Sequence, residues 1–272
     1  MNFVINGIQY HVDTWGNSEG EPLLLLHGFT GNSTSWRKFE SYWQDFNVIA
    51  VDIIGHGKTD SPDDLSKYHI EAVAGDLNNI LDTLEITQAS ILGYSMGGRL
   101  ALTFAIKYPE KVKKLVLESS SPGLKTESER EARRIQDEQL ACRIKDNGIE
   151  KFIDYWENIP LFQSQKRLPE PIRQQIRTER LDNLSVGLIN SLKGMGTGAQ
   201  PSWWDKLYEI SAPTLLITGS IDEKFCLIAK NMIKKLKNSK WITIEDCGHA
   251  IHVENPKIFG TIVNEFLSQE NG

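Results

Sequence analysis

Short apolar runs that do not alternate set the frame for this chain: Leu23–Leu26, Val48–Asp52, Ser90–Gly93, Leu115–Leu117, Thr214–Thr218 and Trp241–Ile244, each bounded by Gly, Pro or Asp. A strand with one wet face alternates apolar and polar residues, whereas a continuously apolar run is buried on both faces. Helical patterns lie between several of the runs. In Ile70–Leu84, the residues Val73, Leu77, Ile80, Leu81 and Leu84 share one face; Met96–Ile106 is apolar and stops at Tyr108-Pro109; Phe225–Leu236 and Pro256–Phe266 are amphipathic. Alternation of strand and helix predicts an α/β chain, with a mostly parallel sheet covered by helices on both faces. Ahead of this pattern, Phe3–Ile5 and Ile8–Val12 flank Asn6-Gly7, the signature of a hairpin.

One stretch breaks the alternation. From Pro122 to about Trp204 no strand pattern occurs, only charged helical segments over Glu127–Lys145, Ile149–Asn158, Glu170–Leu181 and Val186–Leu192. The core needs the strands on both sides of this stretch. It therefore reads as a helical cap, residues 122–205, inserted over the end of the sheet between core segments 1–121 and 206–272. A chain of 272 residues suffices for one core with such an insertion.

Composition narrows the partners. Hydrophobic residues are 40% and charged residues 24% of the chain, with a formal net charge of -6. Nucleic-acid binding normally needs a basic surface, so that class is excluded. An anionic small substrate is not, because a site can be locally positive on an acidic protein. The three cysteines, Cys142, Cys226 and Cys247, are scattered and lack metal-type spacing, as expected for reduced thiols in a cytoplasmic protein. Met1–Val12 lacks the basic segment and apolar run of a signal peptide. The run Leu23–Leu26 is far too short to span a bilayer, so no stable membrane association is expected.

Gly93-Tyr94-Ser95-Met96-Gly97 fits Gly-x-Ser-x-Gly, with an apolar strand before it and an apolar helix after it. A serine in any Gly-rich turn matches the bare pattern. The flanking strand and helix make it a nucleophile elbow, as in the α/β-hydrolase fold. That fold orders its triad Ser, acid, His. Asp222 follows the strand Thr214–Thr218, and His249 follows Trp241–Ile244 through Cys247-Gly248. Both lie at carboxyl ends of predicted strands, where open α/β sheets place their sites. Asp222 could instead cap the next helix. Glu118 is the rival acid and His252 the rival histidine, the latter expected to pack near Glu254. His27-Gly28-Phe29 closes the strand Leu23–Leu26, so backbone N–H groups of Phe29 and Met96 are the candidate oxyanion hole. The loop Asp52–Gly57 reads as structural. Gly194-Met-Gly196-Thr-Gly198 mimics a phosphate loop, but it follows a helix and lacks the Lys-Ser/Thr ending.

Arg99 stands one helical turn after Ser95, so the two can share a face. That turn normally packs beneath the site, where a guanidinium needs an anionic partner. The partner is either a structural carboxylate or the substrate. The cap adds Arg130, Arg133, Arg134, Arg143, Arg177 and Arg180; one or two facing inward would make an anion pocket.

Gly-Tyr94-Ser95-Met-Gly-Gly-Arg99, Glu118-Ser-Ser-Ser-Pro122-Gly-Leu, Glu129-Arg130-x-x-Arg133 and Gly194-Met-Gly-Thr-Gly-Ala-Gln-Pro201 together resemble one family. It is 2-succinyl-6-hydroxy-2,4-cyclohexadiene-1-carboxylate synthase of menaquinone biosynthesis, on the α/β-hydrolase fold, and the likeness runs along essentially the whole chain. The resemblance implies a lyase that eliminates pyruvate from a 5-enolpyruvyl precursor by proton abstraction. It implies Ser95, Asp222 and His249 as triad, Arg99, Arg133 and Arg180 as carboxylate-binding residues, with Arg177 a rival for the last, and Tyr94 and Trp156 as pocket lining. No metal and no organic cofactor are implied. Bidentate arginines suit a substrate with several carboxylates. The competing readings are a carboxylesterase or carbon–carbon bond hydrolase, which share triad and cap, and a noncatalytic receptor.

Overall fold

The computed structural model describes residues 1–269. Its strands are β1 (Asn2–Ile5), β2 (Ile8–Gly16), β3 (Pro22–Leu26), β4 (Asn47–Val51), β5 (Ala89–Tyr94), β6 (Val112–Glu118), β7 (Thr214–Gly219) and β8 (Ser239–Ile244). They form one sheet in the order β1-β2-β4-β3-β5-β6-β7-β8. The β1–β2 hairpin is antiparallel and β2 pairs antiparallel with β4; every pairing from β4 onward is parallel. β3 is therefore flanked by β4 on one side and β5 on the other, and the chain leaves it in opposite directions. A crevice opens at the carboxyl ends of strands at such a switch point.

The continuous apolar runs follow from burial on both faces. Successive strand residues point to opposite faces. Leu24, Leu26, Ile91 and Leu115 enter one core layer, while Leu23, Leu25, Leu92 and Val116 enter the other. The first layer is closed by α1 (Ile70–Thr83) and α2 (Met96–Lys107), through Val73, Leu77, Ile80, Leu81, Leu100 and Phe104. The second is closed by an aromatic group, Trp36, Phe39 and Trp43, and by Phe259 and Val263 of α8 (Pro256–Ser268).

Between β6 and β7 the described residues hold only helices: α3 (Glu127–Trp156), α4 (Glu170–Leu181) and α5 (Ser185–Met195), with short 3-10 turns. The two helices expected over 127–145 and 149–158 run on as one, broken at Gly148, whose φ of 78° leaves the helical region. The sequence pattern pauses there because a glycine with φ > 0 interrupts the hydrogen-bond ladder without ending the run. Thr126 and Glu129 start α3 with a reciprocal capping box. Ala141, Ile144, Phe152 and Ile153 of α3 pack on Leu188 and Leu192 of α5, giving the helical layer its own small core. Asn183 ties it to the sheet, donating to the Thr30 carbonyl at 2.9 Å and accepting from the Gly57 N–H at 3.1 Å. The last helices, α6 (Glu223–Met232) and the single turn α7 (Ile251–Glu254), follow β7 and β8. Among the described residues no helix is long and apolar enough to cross a membrane.

Candidate active site

β5 ends at Tyr94 and α2 begins at Met96, so the chain reverses at Ser95 within one residue. Ser95 sits at φ 50°, ψ -104°, a strained conformation for a residue with a side chain. The flanking glycines are needed because backbone crowds the turn: a Cβ on Gly97 would lie 2.2 Å from the Leu26 carbonyl oxygen, and one on Gly93 2.4 Å from that of Gly97. The Ser95 N–H donates to the Glu118 carbonyl at 2.9 Å, pinning the elbow to β6.

Asp222, first residue after a tight turn from β7, is the N-cap of α6. Its two carboxylate oxygens divide the work. Oδ1 accepts from the Phe225 N–H at 3.3 Å, and Oδ2 lies 2.7 Å from His249 Nδ1. The helix cap and the partner of His249, alternatives on sequence, are one residue. His249 Nε2 lies 2.9 Å from Ser95 Oγ. With Nδ1–H donating to the carboxylate, Nε2 is left to accept the serine proton. His249 and Asp222 are both buried, so this pair is shielded from bulk water. The rivals pair with each other: Glu118 Oε1 accepts from the His252 N–H at 2.9 Å and lies 2.9 Å from its Nδ1. His252 does not engage Glu254 as expected, since residues two apart on a helical turn face different ways. Glu254 instead accepts from the Gly248 N–H and the Ser164 hydroxyl, bracing the His249 loop.

The loop after β3 is equally fixed. His27 Nε2 accepts from the Ile53 N–H at 3.0 Å, which leaves Nδ1 to donate to the Gly28 carbonyl at 2.8 Å. Burial pushes its pKa down and keeps the ring neutral. Gly28 cannot carry a Cβ because the Tyr94 ring is 2.5 Å from that point. Asp52 holds the neighbouring loop, accepting from the N–H groups of Ser33 and Lys58, as its structural reading expected. Phe29, Met96, Ser95 and His249 open into one cavity of about 620 Å³ between sheet and cap, also lined by Tyr94, Trp156, Arg99 and Arg133. Met96 begins α2, so its N–H has no intrahelical acceptor.

Arg99 is the decisive residue. It is 9% exposed, and its Nη1 donates to the Met195 carbonyl at 2.7 Å and to Gln200 Oε1 at 2.5 Å. Met195 lies in the segment that mimicked a phosphate loop and Gln200 two residues beyond it, so this stretch holds the arginine. Among the described residues no carboxylate lies within 4 Å of the guanidinium. Burial, then the charge of Arg133, lowers its pKa to about 10, with Asp137 opposing.

The α/β hydrolase fold family matches residues 21–256. A Bacillus subtilis (strain 168) protein, provisionally named a 2-succinyl-6-hydroxy-2,4-cyclohexadiene-1-carboxylate synthase, is 48% identical over 265 residues, 97% of each chain. The synthase of that name from Photorhabdus laumondii is 31% identical over 257 residues, 94% of this chain and 88% of its own length. This chain belongs to the 2-succinyl-6-hydroxy-2,4-cyclohexadiene-1-carboxylate synthase family. The solved structure of MenH from S. aureus agrees, with a TM-score of 0.90 and 39% identity over 95% of this chain and 97% of that one.

Within this synthase-family cavity the cap cations divide by their partners. Arg133 is half-buried on α3, and its Nε donates to Asp137 at 2.8 Å, leaving the two Nη groups for a ligand. Arg177 is committed to ion pairs with Asp154 at 2.6 Å and Glu157 at 2.8 Å. Arg180 is buried with no carboxylate within 4 Å among the described residues; Gln165 Oε1 is 3.2 Å away. However, Arg180 does not line the Ser95 cavity, as the resemblance implied. It faces an adjoining chamber of about 550 Å³ that shares Phe29, Tyr94 and Phe162 as its wall. The reason is Phe162. The Arg180 guanidinium lies 4.8 Å over that ring, and the ring packs at 5.7 Å from Trp156 and 6.2 Å from His249. One aromatic side chain thus separates Arg180 from the triad. Sequence reading missed Phe162, Phe225 and Lys224. Phe225 packs at a tilt 4.5 Å from the His249 ring, and Lys224 lines the cavity. For Lys224 and Phe225, a place within three residues of Asp222 was the available signal.

Proposed function

We propose that this chain eliminates pyruvate from 2-succinyl-5-enolpyruvyl-6-hydroxy-3-cyclohexene-1-carboxylate to give 2-succinyl-6-hydroxy-2,4-cyclohexadiene-1-carboxylate, in menaquinone biosynthesis, acting in the cytoplasm. The single observation that carries the reading is Arg99: a buried guanidinium one turn past Ser95, opening into the cavity, with no carboxylate within 4 Å among the described residues. A neutral ester gives no reason to bury that charge, whereas a polycarboxylate does.

The chemistry follows from the bonds that differ between substrate and product. A proton leaves ring C2, which is acidified by the adjacent succinyl ketone. The C2–H electrons form C2=C3, the C3=C4 pair shifts to C4=C5, and the C5–O bond breaks. The leaving group is the enolate of pyruvate, which takes up a proton at its methylene carbon. In this reading His249 removes the hydroxyl proton of Ser95, and Ser95 Oγ takes the C2 proton, acting as a base and not as an acylating nucleophile. Asp222 holds the imidazole tautomer and stabilises its cation. Negative charge that gathers on the ketone oxygen during abstraction is met by the N–H groups of Phe29 and Met96. Arg99 and Arg133 clamp carboxylates, with Tyr94 and Trp156 bounding the ring. Arg180 joins them when Phe162 swings aside. Residues 122–205 serve as the cap that closes over the substrate.

The test is pyruvate release from the enolpyruvyl precursor, supplied fresh by the enzyme that makes it, with p-nitrophenyl acetate as the comparison. Rapid pyruvate release with poor ester hydrolysis is expected. Efficient ester hydrolysis without pyruvate release would replace this reading with a carboxylesterase.

A further inference from the structure

Lys224 is a solvent-accessible cation at the wall of the cavity that holds Ser95. It is in the first turn of α6, the end of a helix that favours anions over cations. Among the described residues no carboxylate lies within 4 Å of its ammonium group. Asp222 is the carboxylate whose charge favours it, and both oxygens of Asp222 are already engaged, by His249 and the Phe225 N–H. Burial against the cavity wall, then the charge of Arg133, makes its proton easier to lose. Its neighbours in the wall include Arg133, Phe225, Leu227 and the triad histidine.

Charge counting gives this position a role. The proposed substrate carries three carboxylates: one on the ring, one ending the succinyl chain and one on the enolpyruvyl group. The cavity that holds Ser95 contains Arg99 and Arg133, and Arg180 lies beyond Phe162. Lys125 also reaches the rim, but its ammonium sits 4.5 Å over the Trp204 ring, a closer aromatic contact than the 5.5 Å from the Lys224 ammonium to the Phe225 ring. We propose that Lys224 is the third carboxylate-binding cation of the catalytic cavity, so that each carboxylate of the substrate meets a cation there, with Arg99 and Arg133, before movement of Phe162 admits Arg180. The inference rests on the proposed function. It assigns Lys224 to binding and not to proton transfer, because Ser95 and His249 already supply the base.

Steady-state pyruvate release by the full chain tests it. Lys224→Ala should raise KM for the enolpyruvyl precursor about tenfold, the loss expected for one hydrogen bond to a charged group. Its kcat should stay within about threefold, since the contact is present in ground and transition states alike. Lys224→Arg should restore KM to within about threefold, as either cation serves a carboxylate. Lys230→Ala, on the same helix and outside the cavity lining, is the surface-charge control and should match the wild type. Added salt should narrow the gap between wild type and Lys224→Ala. If the wild type turns over and the KM of Lys224→Ala is unaltered, or if kcat alone collapses, this inference is overturned. If the wild type releases no pyruvate, the functional reading fails, and this inference goes with it.

Discussion

Replacing Arg99 with Met separates a substrate-binding arginine from a structural one. Methionine keeps an unbranched apolar stem and removes the charge and both hydrogen bonds. Two effects on stability oppose each other. Burial lowers the Arg99 pKa from the usual guanidinium range to about 10, a cost of roughly 3 kcal/mol for the folded cation that the variant no longer bears. Against this, the bonds to the Met195 carbonyl and Gln200 are lost, at roughly 1.5–3 kcal/mol each for a charged donor. Central values leave a net loss of about 1–2 kcal/mol, or a fall in Tm of roughly 2–6 °C for a chain of this size. The burial cost is present while Arg99 is charged. It shrinks as pH rises through about 10, where the folded-state guanidinium loses its proton before the unfolded one does. Wild type should therefore gain stability relative to Arg99→Met in urea titrations above about pH 10. The effect on function is larger. Losing a charged contact to the substrate should lower kcat/KM at least ten- to a hundredfold, read by coupling pyruvate release to NADH oxidation through lactate dehydrogenase. Arg99→Lys should recover only part of this, because it keeps the charge without the planar fork. A kcat/KM for Arg99→Met within threefold of wild type would refute the reasoning, whatever the Tm.

Ser95→Ala and His249→Ala should each lower kcat by at least about a hundredfold, and the double variant should cost little more than either alone, because they act as one unit. Ser95→Gly should be equally inactive yet melt a few degrees higher, since glycine removes strain of about 1–3 kcal/mol at φ 50°; a lower Tm would deny that the elbow is strained. Gly97→Ala drives a Cβ to 2.2 Å from the Leu26 carbonyl and 2.5 Å from that of His27, so it should lower both urea stability and activity sharply, and a protein of normal stability and rate would contradict the packing described. Arg177→Ala should leave kcat/KM within about threefold, as half-exposed ion pairs contribute little. Arg180→Ala should lower kcat/KM at least tenfold, the loss expected for a charged contact to the substrate; the reverse ranking in the pyruvate assay would exchange their roles.

The sheet, its two-sided burial and the positions of Ser95, Asp222 and His249 were legible in the chain. Each is a local event: a continuous apolar run ends in a turn, and the turn carries the reactive side chain. In a parallel sheet those ends all lie on one edge, so reading where strands stop is nearly reading the site. The placement of Arg99 was also legible, because one helical turn is a fixed distance. Partnership was not. Nothing in the sequence says that Glu118 meets His252, that Arg177 spends its charge on Asp154 and Glu157 while Arg180 keeps its own, or that Met195 and Gln200 hold Arg99. Arg177 and Arg180 are three residues apart on one helix, and only the packing of α4 decides which faces carboxylates and which faces the ring of Phe162. A charge is defined by its neighbours, and these neighbours come from segments 15 to 134 residues away. The sequence therefore determined which strand ends bring Ser95, His249 and Asp222 together, and the tertiary structure decided which arginines have carboxylate partners among the described residues.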